Sequence, residues 1–253
     1  MLSIERHERI LDRVRLTGRV EVKELAGDFS VTTETVRRDL SRLEQRGLLR
    51  RVHGGAVPLE RLLLEPARDE RAAALLEEKR RIAAAAADEV GEADVLLLDA
   101  GTTTAEMVPA LPNDRERTVV TNDLPLALRL AARPSFAVIV TGGRIRPATQ
   151  SAVDAWAVDH LANIGVDIAF LATSGLSLRR GLTVSSMEEA RTKRAMIDAA
   201  RRVVLLADHS KLGQEYFATF AQLDEVDLLI TDAGADERAV DGLRARGLDV
   251  RCV

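Results

Sequence analysis

The 253-residue sequence contains a single cysteine, Cys252, one residue from its C-terminal end. An intrachain disulfide is therefore excluded, as is a metal site built from several thiolates, and a reducing compartment is the natural setting. No apolar run approaches the roughly 18–20 residues of a membrane-crossing helix, and the opening Met1-Leu2-Ser3-Ile4-Glu5-Arg6 lacks the apolar stretch of a secretion signal. A cytoplasmic location with no membrane partner is expected, and neither a cofactor nor a metal ion. Lysine is scarce as well, 4 residues against 32 arginines. Arginine abundance thus says little by itself, and arginine clustering says more.

What is present is ordinary in bulk: 46% hydrophobic, 30% charged and a net charge of -4. The chain is longer than a typical domain of about 100–150 residues, so a small unit plus a large one is expected. Charge divides unevenly. Residues 1–57 hold 12 Arg/Lys and 9 Asp/Glu, a net of +3, whereas the remainder holds 24 and 31, a net of -7. Six arginines fall between Arg37 and His53 against only Asp39 and Glu44. That density suits a phosphate-contacting surface.

The first sixty residues carry a pattern. Ile10, Leu11 and Val14 form a helical stripe that ends at Gly18, and Val22 to Asp28 reads as a second short helix. Thr32 is a good N-cap for a third, with Glu34 in its first turn. On that helix Val36, Leu40 and Leu43 share one face, while Glu34, Arg38, Ser41 and Gln45 lie opposite, flanked by Arg37 and Arg42. After Gly47, Leu48 to His53 alternates as a strand, and Gly54-Gly55 supplies the positive φ of a tight hairpin turn. Alone, Arg37, Arg38, Arg42 and Arg46 would be a solvated helix face. Three helices at this spacing followed by a basic hairpin make a winged helix-turn-helix. Its third helix enters the major groove of double-stranded DNA, with Thr32, Thr33, Glu34 and Thr35 at its leading end. Glu34, Arg38 and Ser41 are then expected to face bases, and Arg37, Arg42, Arg50, Arg51 and His53 to lie along phosphates.

From Glu5-Arg6-His7 and Ile10-Leu11 through Val22-Lys23-Glu24-Leu25-Ala26, Thr35-Val36-Arg37-Arg38-Asp39-Leu40, Leu43-Glu44 and Gly47-Leu48-Leu49 to Arg51-Val52-His53-Gly54-Gly55-Ala56, the sequence resembles the DeoR family of bacterial transcriptional repressors. The resemblance implies that the third helix is the recognition helix, and that the target is an operator of sugar or nucleoside catabolic genes.

Between Pro58 and Val90 the chain is rich in Leu, Ala, Arg and Glu, with Pro66 as a break. The expected division is a DNA-binding domain over 1–57, a linker over 58–76 and an effector-binding and oligomerisation domain over 77–253. In the last, apolar runs at 95–98, 118–121, 136–141, 167–171, 203–207 and 228–231 alternate with helical stretches. Runs of this kind indicate an α/β domain whose largely parallel sheet is buried on both faces. Ligands of such sheets bind beyond the carboxyl ends of the strands. The residues there are Asp99-Ala100-Gly101-Thr102-Thr103-Thr104, Thr121-Asn122-Asp123, Gly142-Gly143-Arg144 and Asp208-His209-Ser210-Lys211. The first segment suits an anion, phosphate above all, and equally suits a helix cap supplied by Thr102 or Thr103. Lys211 can neutralise a phosphate or pair with Asp208, or stand as a plain surface lysine.

These segments, with Glu188 and Lys193, also resemble the DeoR effector domain. That implies a fold similar to ribose-phosphate isomerase and glucosamine-phosphate deaminase, and a phosphorylated sugar or related metabolite as effector. The sequence departs from the family around Ala152-Val153-Asp154, where a glycine is often found, and in Leu171-Ala172-Thr173-Ser174-Gly175, where the first of the family's usual two glycines is absent. The expected effector residues are Asp99, Gly101, Thr102, Thr103, Thr104, Thr121, Asn122, Asp123, Gly142, Gly143, Glu188, Asp208 and Lys211. A sugar-phosphate isomerase or deaminase with a DNA-binding appendage is the competing class. Asp99, Asp123, Asp208, Glu188 and Lys211 would supply its acid–base groups, but no spacing specifies a catalytic pair, and no enzyme is expected. A repressor that has lost ligand control is a third possibility. Helix-turn-helix proteins generally occupy paired half-sites, so a homo-oligomer is expected.

Overall fold

A computed structural model describes residues 3–45, 48–52, 54–58 and 67–253. His53 and the side chain of Arg50, both expected at the DNA, lie outside what is described, as do residues 59–66 of the expected linker. The chain divides into two compact units, Met1–Glu65 and Pro66–Val253.

In the first unit, α1 (Ser3–Thr17), β1 (Val20–Glu21), α2 (Val22–Asp28) and α3 (Thr33–Gln45) precede a hairpin of β2 (Leu49–Val52) and β3 (Gly55–Pro58). Ile10, Val14, Leu25, Val36, Leu40, Leu43 and Leu49 close one apolar core, so the helical stripes in the sequence are the buried faces. The three strands pair antiparallel in the order β1-β3-β2. The two hairpin glycines do different work. Gly54 sits in the turn at φ +76°. Gly55 is already in the strand, and a Cβ there would lie 1.9 Å from the Val20 carbonyl oxygen, so its role is close backbone approach rather than turn geometry.

The second unit begins with α4 (Arg68–Ala73) and α5 (Leu76–Asp88). Residues 68–76, expected as linker, are folded into it: Arg68 Nη1 donates to the Thr149 carbonyl at 2.7 Å, and Arg71 Nη2 donates to that of Ala148 at 3.2 Å. Then follow β4 (Val95–Leu98), α6 (Thr102–Ala105), α7 (Met107–Ala110), β5 (Arg117–Thr121), α8 (Leu124–Ala131) and β6 (Phe136–Val140). A hairpin of β7 (Arg144–Arg146) and β8 (Ser151–Val153) leads to α9 (Ala155–Leu161) and β9 (Ile168–Ala172). The chain continues through β10 (Gly175–Ser177), β11 (Gly181–Val184), α10 (Met187–Ala199), β12 (Val203–Leu206), β13 (Ala218–Ala221), β14 (Leu228–Thr231), α11 (Glu237–Arg244) and β15 (Asp249–Cys252).

Seven strands form one parallel sheet in the order β15-β14-β12-β9-β4-β5-β6. Alternation along the strands supplies both cores: Leu97, Val120, Ala169, Leu171, Leu205 and Leu229 face one side, and Leu96, Leu98, Val119, Phe170, Val204 and Ile230 the other. From β4 the chain winds one way through β5 and β6, and from β9 the other way through β12, β14 and β15. The winding reverses between β4 and β9, and in sheets of this kind ligands bind beyond the carboxyl ends of the strands at such a point. A small antiparallel sheet, β10-β11-β13, adjoins.

Gly55→Ala is expected to destabilise the first unit by at least about 3 kcal/mol, since the clash is with backbone that cannot turn aside. Gly54→Ala, in open space, meets only the left-handed penalty of about 1–2 kcal/mol. Denaturant titration followed by hydrogen exchange of the α1–α3 amides should separate the two.

Candidate nucleic-acid interface and effector site

The third helix is fixed from behind. Asp39 lies in its buried half, accepting from Arg6 Nε at 2.5 Å and contacting His7 Nε2 at 2.9 Å, both on α1. Burial works to raise the Asp39 carboxyl, but the hydrogen bonds from Arg6 and His7 outweigh it and hold it below the usual carboxylate range. Motif reading used Asp39 only as part of a family signature, because an aspartate among arginines looks like surface.

At its leading end, Thr32 Oγ1 accepts the Thr35 amide at 3.2 Å, which makes Thr32 the N-cap the sequence called for. Thr32, Thr33, Glu34, Arg37, Arg38 and Arg42 are exposed, and Thr35 and Ser41 half-buried. Ser41 and Arg51 are joined: Arg51 Nη1 donates to Ser41 Oγ at 2.6 Å, and the Arg51 amide donates to Glu44 Oε1 at 3.0 Å. Helix and wing therefore present one connected polar face.

In the second unit the switch point between β4 and β9 holds a buried ion pair. Asp99, fully buried just past β4, accepts from Lys193 Nζ of α10 and from the Ala172 amide at 2.9 Å, both on Oδ2. Lys193 also donates to the Ala172 carbonyl at 3.0 Å and stands 3.8 Å from Glu189, which accepts from Arg146 at 3.1 Å. Burial pushes the Asp99 carboxyl up against the pull of the Lys193 ammonium, and its Oδ1 has no hydrogen-bond partner.

The expected effector residues sort by what already occupies them. Thr104 Oγ1 donates to the Asp99 and Gly101 carbonyls at 2.7 and 2.9 Å, and Thr121 Oγ1 donates to that of Leu98 at 2.6 Å. Asn122 Oδ1 accepts the Ala100 amide at 2.9 Å, and its amide donates to the Ala152 carbonyl at 3.2 Å. Asp123 accepts the Leu126 amide at 3.0 Å and Arg68 Nη2 at 2.8 Å. Asp208 takes the Ser210 amide and hydroxyl. These groups hold loops. Gly101, not a threonine, is the N-cap of α6, so the capping alternative for Thr102 and Thr103 is not realised. Among the described residues, the hydroxyls of Thr102 and Thr103, Oδ1 of Asp99 and the ammonium of Lys211 are left without hydrogen-bonding or ion-pairing partners; Lys211 does not pair with Asp208.

Gly142 and Gly143 shape the turn into β7, at φ +70° and +106°, and a Cβ on Gly143 would lie 2.6 Å from the Val153 carbonyl oxygen. Glu188 pairs with Arg144 at the surface and borders an open groove of about 610 Å³ between α9 and α10. One position on, Glu189 is the residue that faces Lys193. Lys193, Glu189, Arg68 and Lys79, which the structure brings to these loops, are not among the expected effector residues. Their rarity was a usable signal for the lysines, two of only four in the chain.

Two family descriptions match the chain: a DeoR-like helix-turn-helix domain over residues 6–61 and a DeoR C terminal sensor domain over residues 75–233. The HTH-type transcriptional regulator GlpR of Haloferax volcanii is 38% identical over 250 residues, spanning 99% of this chain and 98% of that protein. The glycerol-3-phosphate regulon repressor of Escherichia coli is 34% identical over 233 residues, 92% of each chain. The putative aga operon transcriptional repressor of E. coli O157:H7 is 31% identical, over 97% of this chain and 92% of its own. Among solved structures, ribose 5 phosphate isomerase A from Neisseria gonorrhoeae aligns over 53% of this chain and 52% of its own, with 16% identity and a TM-score of 0.39. That likeness is too slight to carry an argument.

Lys193→Met leaves Asp99 buried without its counter-charge and is expected to destabilise the second unit by about 3–5 kcal/mol. Combining it with Asp99→Asn should recover part of the loss, as read by thermal melts of both variants. Asp39, with its depressed carboxyl, contributes stability above its unfolded pKa of about 3.9 that is lost as pH falls through the lower folded value. Asp39→Asn should flatten the acid limb of the first unit's stability profile.

Proposed function

This chain belongs to the DeoR family of transcriptional regulators, and from that premise we propose that it is a homo-oligomeric repressor of sugar catabolism genes, released from its operator by a phosphorylated sugar. The first unit reads DNA. Thr32 to Thr35 lead α3 into the major groove; Glu34, Arg38 and Ser41 face base edges, and Arg37, Arg42, Arg50 and Arg51 follow phosphates. The Ser41–Arg51 bond supports this by fixing the wing's arginine against the recognition helix before DNA arrives.

The observation that carries the effector half is the set of groups left without partners at the strand ends: Lys211, the Thr102 and Thr103 hydroxyls, and Oδ1 of Asp99. A half-buried ammonium and free hydroxyls at strand ends of one sheet are groups that suit a phosphate, and an orphan carboxylate oxygen suits a sugar hydroxyl. One relative is named as the repressor of a glycerol-3-phosphate regulon, a name that includes a phosphorylated small molecule. On this reading the chain acts as a regulator and not as an enzyme: of the five candidate acid–base groups, Asp123, Asp208 and Glu188 are each engaged in holding a neighbouring residue, and Asp99 and Lys211 serve the effector. Turnover of any aldose phosphate by the purified protein would contradict this.

Arg38→Ala should weaken operator binding by about 1–3 kcal/mol and relax its sequence preference, whereas Arg42→Ala should weaken binding to all DNA and lower the salt slope by about one. Gel retardation across a salt series checks both, and unchanged curves would contradict the docking. Lys211→Ala should abolish the calorimetric heat of sugar-phosphate binding while leaving operator affinity intact.

A further inference from the structure

The chain enters the second unit through α4, and three cations hold that short helix down. Arg68 reaches the fully buried Asp123 at 2.8 Å and the Thr149 carbonyl at 2.7 Å, and Arg71 reaches the Ala148 carbonyl at 3.2 Å. The third is Lys79, on the first turn of α5, whose ammonium turns back to donate to the carbonyls of Arg71 and Ala74, the latter at 2.6 Å. Those carbonyls lie at the C-terminal end of α4, where no following turn supplies amides to satisfy them. Between the two helices the chain bends at Leu75, a non-glycine residue in the left-handed region at φ +53°. Such a bend persists where its surroundings enforce it, and Lys79 is what bridges it.

Lys79 also lies close to the expected effector residues, because α4 and α5 both pack against α6, which opens with Thr102 and Thr103. Lys79 is 3% exposed, and burial pushes its ammonium's pKa down; Asp208 pulls it up, Lys211 and Arg71 push it down further, and Glu106 pulls it up. The buried ammonium thus feels both Lys211 and Asp208, the strand-end pair at which an anion is expected. Two neutral carbonyls are weaker partners for an ammonium than a phosphate oxygen, because charge-assisted hydrogen bonds are about twice as strong.

We propose that Lys79 is a further ligand of the effector's anionic group, and that the same ammonium is the latch on α4. An anion held at Lys211 draws the Lys79 ammonium off the Arg71 and Ala74 carbonyls. The α4 end then loses its cap, and the segment through which the DNA-binding unit is attached loosens. The ligand favours the unlatched state because only there does Lys79 bond to it, which is the differential affinity that an allosteric shift requires. This rests on the reading that an anion binds at Lys211, and adds to it the residue that converts binding into a change at the linker.

The test uses the full chain with inorganic phosphate, the group common to all phosphorylated sugars, read by calorimetry and by hydrogen exchange at the Arg71 and Ala74 amides. Saturating phosphate should speed exchange there in the wild type. Lys79→Met should exchange fast without phosphate and bind it at least about tenfold more weakly, the loss of one charged hydrogen bond. Arg68→Gln keeps both lysines but removes the Asp123 anchor, and should bind phosphate about two- to fivefold more tightly, because less free energy goes into opening the latch. Phosphate binding that leaves exchange at α4 unchanged or slower, or wild-type affinity in Lys79→Met, overturns the latch and leaves the effector reading standing. A wild-type chain that does not bind phosphate overturns both.

Discussion

A lysine ammonium and an aspartate carboxylate removed from water together set the terms for the second unit. Taking either ion out of solvent costs several kcal/mol, and their attraction offsets that only where geometry is good and the remaining donors and acceptors are met. The Lys193–Asp99 pair meets most of them: the amide and carbonyl of Ala172 serve one partner each, and Glu189 with Arg146 extends the charge alternation outward. One position is left open, Oδ1 of Asp99. The pair sits where the sheet's winding reverses and ties the ends of β4 and β9 to α10.

The rest of the site follows from that anchorage. Asp99 fixes the start of the Gly101–Thr104 turn, where Gly101 is packed so closely that a Cβ would stand 2.7 Å from that of Ala172. Asn122 clamps the turn from the next strand. With Thr104, Thr121, Asn122 and Asp123 all spent on this scaffolding, recognition falls to the few groups that remain unbonded and to the lysines beside them.

How much of this was legible depended on whether a residue's surroundings are local. The buried face of α3 and its cap were readable, because helical periodicity and an N-cap act within one turn. Strands β4, β5, β9, β12 and β14 were readable because burial on both faces leaves a continuous apolar run, and β6 was readable from its apolar run although it is an edge strand with Ile139 and Val140 exposed. The edge strand β15 was not: Asp249, Arg251 and Cys252 are exposed and Val250 alone is buried, so its pattern resembles a loop. The three-residue β7, β8 and β10 carry too little periodicity to register. Glu188 and Glu189 show the limit at a site, since neighbours on a helix point 100° apart, and only the packing of α10 decides which faces Lys193. Arg68 was hidden for a related reason, since its partners are a carbonyl and a carboxylate that a motif does not display, and for Lys79 only the rarity of lysine in the chain was a signal.

Both units use buried charge in the same way. In the first, Arg6 and His7 on Asp39 hold α3 from behind and leave its arginines free for DNA; in the second, Lys193 on Asp99 holds the switch point and leaves Lys211 and the hydroxyls free for an anion. The central claim is that occupancy of the second site changes what the first can hold. Fluorescence anisotropy of a labelled duplex from the promoter region adjoining this gene, titrated with phosphorylated sugars under conditions where calorimetry shows binding, tests it most directly. The account predicts that the sugar that binds lowers the anisotropy by releasing the DNA. Sugar binding that leaves the DNA fully bound would contradict it.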